Sequence, residues 1–437
     1  MAEKSNSSSE KLIGFFPLFY NLAETGRAVL IAKEVQKRGY NIVFFSHGGK
    51  YEYLVKQLNA DIIHVPPIYS DDFIDLLWKS SRLETLKNPF TTENLRIHVE
   101  EEKKAFQKAG VDLIVSTNNW PCRISAPVAK VPLIFVTPKV VASFSSFPED
   151  AEFFLSWLLP ERLKLAFLNW YAPRSKMYVK PFAKVAKQYH VSPPRYTSDI
   201  NQGDYTFYTN SVKLIGEKNI DDSVDVRFIG PISLESLFQS SDDTKTKQEQ
   251  KEIEQHIQTR NRSILVTLGS SGTKELFLKI IHALEKTEYQ VIGIYSTILD
   301  ENNLPATKDN ILLKKFVPSI ARINKLVDLA LTHGGEGTVL TAAYSGRPVI
   351  GFPMQFEQHL NLEMLVKHGS ALIASKRNLT KQKILNMVEK IFSDYKNYYD
   401  QAQKIASLLP PANGHKNAAL FIDEFLTTGK INENLDQ

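Results

Sequence analysis

A glycine-rich segment in the C-terminal third of the chain, HGGEGT, carries the residues with the clearest chemistry. It follows the short apolar run 328–332 and opens a helical pattern, which is the order strand, turn and helix. The first turn of a helix has unpaired N–H groups and the positive end of the helix dipole, and glycine lets an anion approach them. We therefore predict a diphosphate site, although a plain strand-to-helix turn has the same appearance. The residues assigned to it are His333, Gly334, Gly335, Gly337 and Thr338, with His333 as a directed donor.

A second loop of small residues, Gly269-Ser270-Ser271-Gly272, ends an earlier apolar run of the same region. Its hydroxyls can donate to phosphate oxygens or cap the helix that follows, and both interpretations stay open. Since two loops of one domain can bind one diphosphate, Gly269, Ser270 and Ser271 join the predicted site. Neither loop has the spacing of a P-loop or of the dinucleotide-binding glycine motif, which disfavours an ATPase or a dehydrogenase.

Two further positions follow predicted strands in this region. The turn after Phe316 and Val317 can hydrogen-bond the edge of a nucleobase while one of the two side chains packs on it, although a plain strand end explains it equally well. Glu357 and Gln358 begin a helix, where a carboxylate and an amide can accept from and donate to sugar hydroxyls. A first-turn carboxylate favoured by the helix dipole is the alternative for Glu357.

The elements that must position these residues alternate between apolar strand-like runs and helical patterns, which predicts an α/β fold with parallel sheets covered on both faces. We predict two doubly wound Rossmann-like domains facing across a cleft, with ligands at the carboxyl ends of the strands. The predicted units are a flexible tail at 1–10, an N-terminal domain at 11–232, a linker at 233–262, a C-terminal domain at 263–412 and a helix at 413–430.

Composition predicts a soluble cytoplasmic protein. With 437 residues, of which 43% are hydrophobic, the chain can bury large cores. Its single cysteine, Cys122, cannot form an internal disulfide, and we see no secretory leader. The apolar run 153–159 is far shorter than the roughly 20 residues that span a bilayer.

The net charge of +5 is too small to indicate nucleic-acid binding, but its distribution is uneven. The segment 150–195 is rich in lysine, arginine and aromatic residues, and from Glu161 onward it has no second carboxylate. Such a segment can contact an anionic membrane from its cytoplasmic side or an acidic acceptor. A solvated helical face with long basic side chains over apolar surface is the alternative.

The order of motifs GSSG, FVP, THGGEGT and GRPVIGFPMQFEQHLN resembles the donor-binding half of inverting UDP-glycosyltransferases of the GT-B type, which include macrolide, plant and animal members. The resemblance is strong over about 260–376 and weaker over 11–138. It implies that the two glycine loops hold the diphosphate of a nucleotide sugar, that Phe316 and Val317 meet the base and that Glu357 and Gln358 meet the sugar. It also implies catalysis without a metal or another cofactor, and a C-terminal helix that packs back on the first domain.

The chain departs from that family at the catalytic base. The family places a histidine after the first strand and an aspartate after a later one, and the corresponding positions here hold Glu24 and a segment around Thr117 and Asn118. Glu24 can serve as the base if burial raises its pKa, or it can be a structural carboxylate at a helix start. His47, after the second strand, is the other candidate base, with a turn residue as its alternative.

The leading hypothesis is an inverting transfer of a hexose from a nucleotide diphosphate sugar, expected to be UDP-linked, to a hydroxyl of a lipid or small apolar acceptor. Aromatic residues are candidates for an acceptor pocket or for plain core, namely Phe153, Phe154, Trp157, Trp170 and Tyr171. A nucleotide-sugar epimerase or hydrolase of the same fold, and a binding protein without catalysis, remain open alternatives.

Overall fold

The computed structural model describes most of the chain. The described residues are 11–81, 84–85, 87–139, 160–215, 225–237, 243–258, 262–269, 272–296, 298–317, 319–375 and 379–431. Predictions that concern residues 1–10, Ser270, Ser271 and the first part of 150–195, with Phe153, Phe154 and Trp157, therefore lie outside the described residues.

The first half of the chain forms a parallel sheet of seven strands in the order β3-β2-β1-β4-β5-β6-β7. Its strands are β1 Leu12–Pro17, β2 Asn41–Ser46, β3 Asp61–His64, β4 Leu113–Thr117, β5 Leu133–Thr137, β6 Tyr205–Tyr208 and β7 Val226–Phe228. The central strands are apolar almost throughout because helices cover both faces of the sheet, as expected for a parallel sheet.

The second half forms a parallel sheet of six strands in the order β10-β9-β8-β11-β12-β13. Its strands are β8 Ser263–Thr267, β9 Gln290–Ile294, β10 Ile311–Lys314, β11 Leu329–Thr332, β12 Val349–Gly351 and β13 Ala371–Ile373. The predicted fold class, two doubly wound Rossmann-like units, is confirmed.

The described residues contain fifteen α-helices. They are α1 Leu22–Gln36, α2 Asp71–Ser81, α3 Thr92–Ala109, α4 Cys122–Ala129, α5 Glu161–Tyr171, α6 Val179–Gln188, α7 Val212–Ile215, α8 Asp243–Gln258, α9 Lys274–Leu284, α10 Ile320–Leu326, α11 Glu336–Tyr344, α12 Phe356–Lys367, α13 Lys381–Ser393, α14 Tyr395–Leu408 and α15 Gly414–Thr428. No helix among the described residues is long and apolar enough to cross a membrane.

Within the predicted linker 233–262, residues Asp243–Gln258 form the helix α8. Ile253 is fully buried and packs against Leu265 and Ile292 of the second sheet, with Ile257 beside it. Two isoleucines four residues apart make a narrow apolar stripe on a helix that is otherwise polar. Because most of the other residues in this segment are polar or charged, its composition is typical of a linker and does not reveal the apolar stripe.

The C-terminal helix α15 returns to the first half and packs against α1. Its Ala418, Phe421 and Ile422 belong to the same core as the strands β1 and β4. The return is fixed at its start, where Asn413 forms an antiparallel bridge with Ile232. The two connections between the halves therefore run side by side.

The strand order reverses between β1 and β4 in the first sheet and between β8 and β11 in the second. The loops after these four strands lie at the two crevices where open α/β sheets bind ligands. Three of them contain Asn118, Gly269 and His333, and the fourth leads into the first turn of α1, which contains Glu24. The topology therefore brings the residues with candidate chemistry to the switch points of the two sheets.

Candidate functional site

The two glycine loops of the second half meet around the imidazole of His333. A Cβ atom built on Gly269 would lie 2.6 Å from Cε1 of this ring, and one built on Gly335 would lie 2.4 Å from Nε2. Any side chain at either position would collide with the imidazole. Glycine is therefore required on both sides of His333, and the loops after β8 and β11 form one surface, as the sequence predicts.

His333 is uncharged in this site. Burial lowers its pKa to about 4, and the ring retains a hydrogen bond to the backbone of Thr267. Its Nδ1 atom is buried and has no hydrogen-bond partner among the described residues, and the same holds for Nε2 of Gln355 in the nearby loop after β12. Buried polar atoms of this kind normally meet a ligand or an ordered water. A ligand or an ordered water can therefore contact His333 at Nδ1, on a ring that carries no positive charge.

The helix α11 begins next to His333. Gly335 is its N-cap and makes no side-chain cap, so the first-turn N–H groups are available to an anion. Thr338 donates its hydroxyl to the carbonyl oxygen of Gly335 at 2.8 Å, which stabilises the turn. Gly337 is exposed with open space around it, and Gly334 has a left-handed backbone, φ 90°, over the helix α12.

The predicted nucleobase residues lie just after β10. Phe316 exposes 55% of its side chain at the carboxyl edge of the sheet, whereas Val317 is buried in the core. Phe316 is therefore the one of the two whose side chain is exposed enough to pack on a planar ligand.

The predicted sugar residues open α12. Gln358 is buried and accepts a hydrogen bond from the backbone N–H of Met354 at 2.9 Å, so it holds the loop. Glu357 faces solvent at the cleft, where crowding by the protein and the charge of Glu336 raise its pKa to about 7. Asn361, one turn later, donates to the carbonyl oxygen of Gly334 at 3.1 Å and connects α12 to the diphosphate loop.

Across the cleft, Glu24 lies in the first turn of α1 and is almost fully buried. Its Oε1 accepts from Nδ2 of Asn118 at 2.8 Å, and its Oε2 accepts from Nη1 of Arg27 at 2.9 Å. The Thr117 hydroxyl donates to the Glu24 carbonyl at 2.9 Å. The loops after β1 and β4 thus fix this carboxylate at the switch point of the first sheet.

Two features of the surroundings of Glu24 shift its pKa upward, and two others offset part of this shift. Burial raises its pKa, and the charge of Glu336 adds to the increase, while Arg27 and Asn118 offset part of it. Nearby, burial and then the charge of Glu24 raise the pKa of the Tyr20 hydroxyl. A carboxylate whose pKa is raised accepts a proton more readily than an ordinary carboxylate, which is the property that a general base needs.

A charged pair joins the two halves at this point. Nη2 of Arg27 donates to Oε2 of Glu336, the first residue of α11, and the hydroxyl of Thr209 donates to Oε1 of the same carboxylate at 2.9 Å. Arg27 is buried, and its pKa is raised because Glu24, Glu336 and Glu357 outweigh the effect of burial. The positive charge of this guanidinium therefore interacts with three carboxylates, one from the first half and two from the second.

His47 does not fit the role of base that the sequence suggests. Its Nδ1 lies 2.9 Å from the carbonyl oxygen of Val65, and its Nε2 lies 2.9 Å from Oε1 of Glu102. The ring stacks on Tyr69 at 4.8 Å, and the residue is 3% exposed. With both nitrogens engaged inside the first half, His47 has no free nitrogen to accept a proton from a bound hydroxyl.

The two aromatic residues predicted for an acceptor pocket that are described lie on the surface. Trp170 and Tyr171 expose 57% and 41% of their side chains on α5. The opposite side of α5 packs Leu168 against Leu360 of α12. The helix therefore spans from the first half to the second and leaves its aromatic face outward.

Four residues of the site were missed from sequence, namely Arg27, Thr209, Glu336 and Asn361. Arg27 lies three residues after Glu24, a spacing that places both on one face of a helix and was the one signal available. Glu336 stands inside the glycine motif, but its partner on α1 is 309 residues away. No local pattern predicts a contact between two domains.

Comparison with known proteins finds similarity to glycosyltransferases over most of the chain. The model of the glycosyltransferase family 28 C-terminal domain matches residues 263–418. The PGL/p-HBAD biosynthesis glycosyltransferase of Mycobacterium tuberculosis is 24% identical over 332 residues, which is 74% of this chain and 72% of that protein. The UDP-glucosyltransferase 2 of Dactylopius coccus is 30% identical over 109 residues, 25% of this chain and 21% of that protein.

Among solved structures, the calicheamicin glycosyltransferase CalG4 superposes with a TM-score of 0.66 at 16% identity, covering 95% of this chain and 98% of that one. This likeness defines the class: the two sheets and their cleft are a GT-B fold. The protein is a glycosyltransferase, and its residues 263–418 are similar to the family 28 C-terminal domain.

Proposed function

We propose that the protein transfers a hexose from a UDP-sugar to a hydroxyl of a lipid or small apolar acceptor, with inversion at the anomeric carbon. The observation that carries the proposal is the position of Glu24, a buried carboxylate with a raised pKa that faces the start of α11 across the cleft. The resemblance to inverting UDP-glycosyltransferases implies a histidine at this position, and Asn118 and Arg27 orient the carboxylate that stands here instead.

In the proposed reaction the acceptor oxygen attacks the anomeric carbon while Glu24 takes its proton. The new bond is between the acceptor oxygen and that carbon, and the bond from the carbon to the diphosphate oxygen breaks. UDP leaves with the electron pair, and its developing charge lies at the first turn of α11 beside His333. The first-turn N–H groups of α11 provide this stabilisation, so we expect activity to persist in EDTA.

The donor is proposed to be UDP-linked. Phe316 supplies an exposed ring for the uracil, and Glu357 lies where a sugar hydroxyl can be bound. The similarity to a protein named as a UDP-glucosyltransferase supports the nucleotide, and a TDP-sugar is the nearest competitor.

Aromatic residues near Glu24 favour an apolar acceptor. The rings of Tyr20 and Trp78 meet edge to face at 5.6 Å, and Tyr69 lies 6.5 Å from Tyr20 and 4.8 Å from Phe73. Tyr20 also lies close enough to Glu24 to feel its charge. An apolar acceptor that packs along these rings would bring its hydroxyl to the base.

A lipid acceptor would be met at the cytoplasmic face of a membrane by the outer face of α5. Leu163, Phe167, Trp170 and Tyr171 are exposed there at positions separated by one helical turn or less. Basic residues flank them, namely Arg162, Lys164, Arg174 and Lys176. Exposed aromatic and basic side chains on one helix suit the surface of an anionic bilayer.

The reaction is tested with a panel of UDP-glucose, UDP-galactose, UDP-N-acetylglucosamine and TDP-glucose and a long-chain hydroxylated acceptor in vesicles. Proton NMR of the product is expected to show a β linkage from the α-linked donor. Retention of the α linkage, or release of UDP from a hydrolysed or isomerised sugar without acceptor, would contradict the proposal and favour the hydrolase or epimerase alternative.

The membrane contact is tested by sedimentation with phosphatidylglycerol and phosphatidylcholine vesicles. Binding is expected only with the anionic lipid and is expected to fall in the double variant Phe167→Ser/Trp170→Ser. Leu420→Ser removes a similarly exposed apolar residue from α15 and serves as the control. Equal binding by both variants would contradict the role of α5.

A further inference from the structure

The start of α11 presents an electrostatic conflict. The helix N-terminus is the proposed site of a diphosphate, yet its first residue is a carboxylate, Glu336. Glu357 of α12 and Glu24 of α1 are near enough to be coupled to it. Three carboxylates around an anion site would repel the ligand unless a cation offsets them.

Arg27 is placed to offset them. Its guanidinium contacts Glu24 through Nη1 and Glu336 through Nη2, and its side chain is 5% exposed, so water screens these contacts weakly. The hydroxyl of Thr209 holds the second oxygen of Glu336. Both contacts hold the Glu336 carboxylate against residues of the first half.

We propose that Arg27 is a positioning residue for donor binding: by pairing with Glu336 across the cleft, it removes negative charge from the diphosphate site and at the same time orients Glu24. A single ion pair thereby couples the donor half to the acceptor half. This inference rests on the proposed function, because it takes the ligand at α11 to be a nucleoside diphosphate.

The test is a double-mutant cycle on UDP binding, measured by calorimetry on the full chain. Arg27→Gln is expected to weaken UDP binding by about tenfold or more, because it leaves Glu336 unpaired beside the ligand. Glu336→Gln is expected to bind UDP at least as tightly as the wild type. The double variant is expected to recover to within about threefold of Glu336→Gln, since the charge that Arg27 offsets is then gone.

The control is Arg38→Gln, which also removes a guanidinium. Arg38 lies just beyond the C-terminal end of α1 and pairs with Asp423 at 3.4 Å. It is expected to leave UDP binding unchanged. Equal loss in Arg27→Gln and the double variant would overturn the proposal. If Arg27→Gln does not fold, weaker UDP binding by Glu336→Gln overturns it. A wild type that binds neither UDP, TDP nor GDP would instead refute the proposed function itself.

A pH profile separates positioning from a merely structural role. The groups that face Arg27 are Glu24, Glu336 and Glu357, with Tyr20 beside Glu24. Arg27 lowers the pKa of Glu24, which as the base sets the acidic limb of the pH profile of kcat. Arg27→Lys keeps the positive charge and is expected to leave this limb near its wild-type pH. Arg27→Gln removes the charge and is expected to move the limb to higher pH. If Arg27 had only a structural role, Arg27→Gln would lower the free energy of unfolding and leave the acidic limb of kcat at its wild-type pH.

Discussion

The two halves of the cleft, which we propose bind the donor and the acceptor, differ in the chemical groups that they present. The donor half offers backbone N–H groups, small residues and a neutral imidazole, and its geometry is fixed by glycines that let His333 approach two loops. The acceptor half offers a buried carboxylate whose protonation depends on charged neighbours. Binding an anion thus depends on shape here, whereas proton transfer depends on electrostatics.

The difference separates the expected effects of substitution. Changes of volume in the donor half are expected to act on folding and nucleotide binding, while isosteric changes of charge in the acceptor half are expected to act on turnover. A change of volume that affected only turnover, or an isosteric change of charge that affected only folding, would contradict this distinction between the two halves.

The largest effect is expected from Glu24→Gln, which keeps the volume and removes the proton acceptor. kcat is expected to fall by about 10²–10⁴-fold, the usual contribution of a general base, with UDP affinity retained. Single-turnover assays beside calorimetry measure both. Glu34→Gln, near the other end of the same helix, where Glu34 pairs with Lys37, is the control. A wild-type rate in Glu24→Gln would remove Glu24 from the mechanism.

The next effect concerns His47, the candidate base that the structure assigns to the interior. His47→Phe leaves Glu102 buried without its imidazole partner and is expected to lower the free energy of unfolding by about 3–5 kcal/mol. His64→Phe breaks an exposed histidine–glutamate pair and is expected to cost at most about 1 kcal/mol. Denaturant titrations compare them. A stable His47→Phe protein without turnover would restore His47 as a catalytic candidate.

A smaller effect is expected from volume at the diphosphate loop. Gly335→Ala is expected to destabilise the protein by about 1–3 kcal/mol because the new methyl group collides with His333. Gly337→Ala, two residues later, meets open space within a helix and is expected to stabilise by up to about 1 kcal/mol. Thermal unfolding of the two variants checks the opposite signs, and equal destabilisation would argue against the packing around His333.

The smallest effect is a pH dependence. Folding raises the pKa of Glu357 from 4.5 to about 7, so the folded chain binds this proton more readily than the unfolded chain. Its contribution favours the folded state below pH 4.5 and declines as the pH rises to about 7. Glu357→Gln is expected to flatten the fall of Tm in this window only slightly, because solvent reaches the side chain. Glu389→Gln is the control, and an unchanged slope in Glu357→Gln would contradict the shift.

The sequence was informative where function depends on local pattern. Periodicity predicted both sheets, and spacing within HGGEGT predicted the turn that the structure shows around His333. It was less informative where function depends on long-range contact. That Glu102 from α3 would engage His47, and that Glu336 would reach Arg27, depends on how helices and halves are oriented, which residue spacing does not encode.

The return of α15 to the first half affects how the chain tolerates truncation. Residues beyond Asn413 supply Ala418, Phe421 and Ile422 to the core around β1. A shortened chain that ends after the second sheet would therefore expose the hydrophobic underside of α1, the helix that carries Glu24 and Arg27. Removal of α15 would therefore be expected to lower turnover by disturbing α1, which lies near the other end of the sequence.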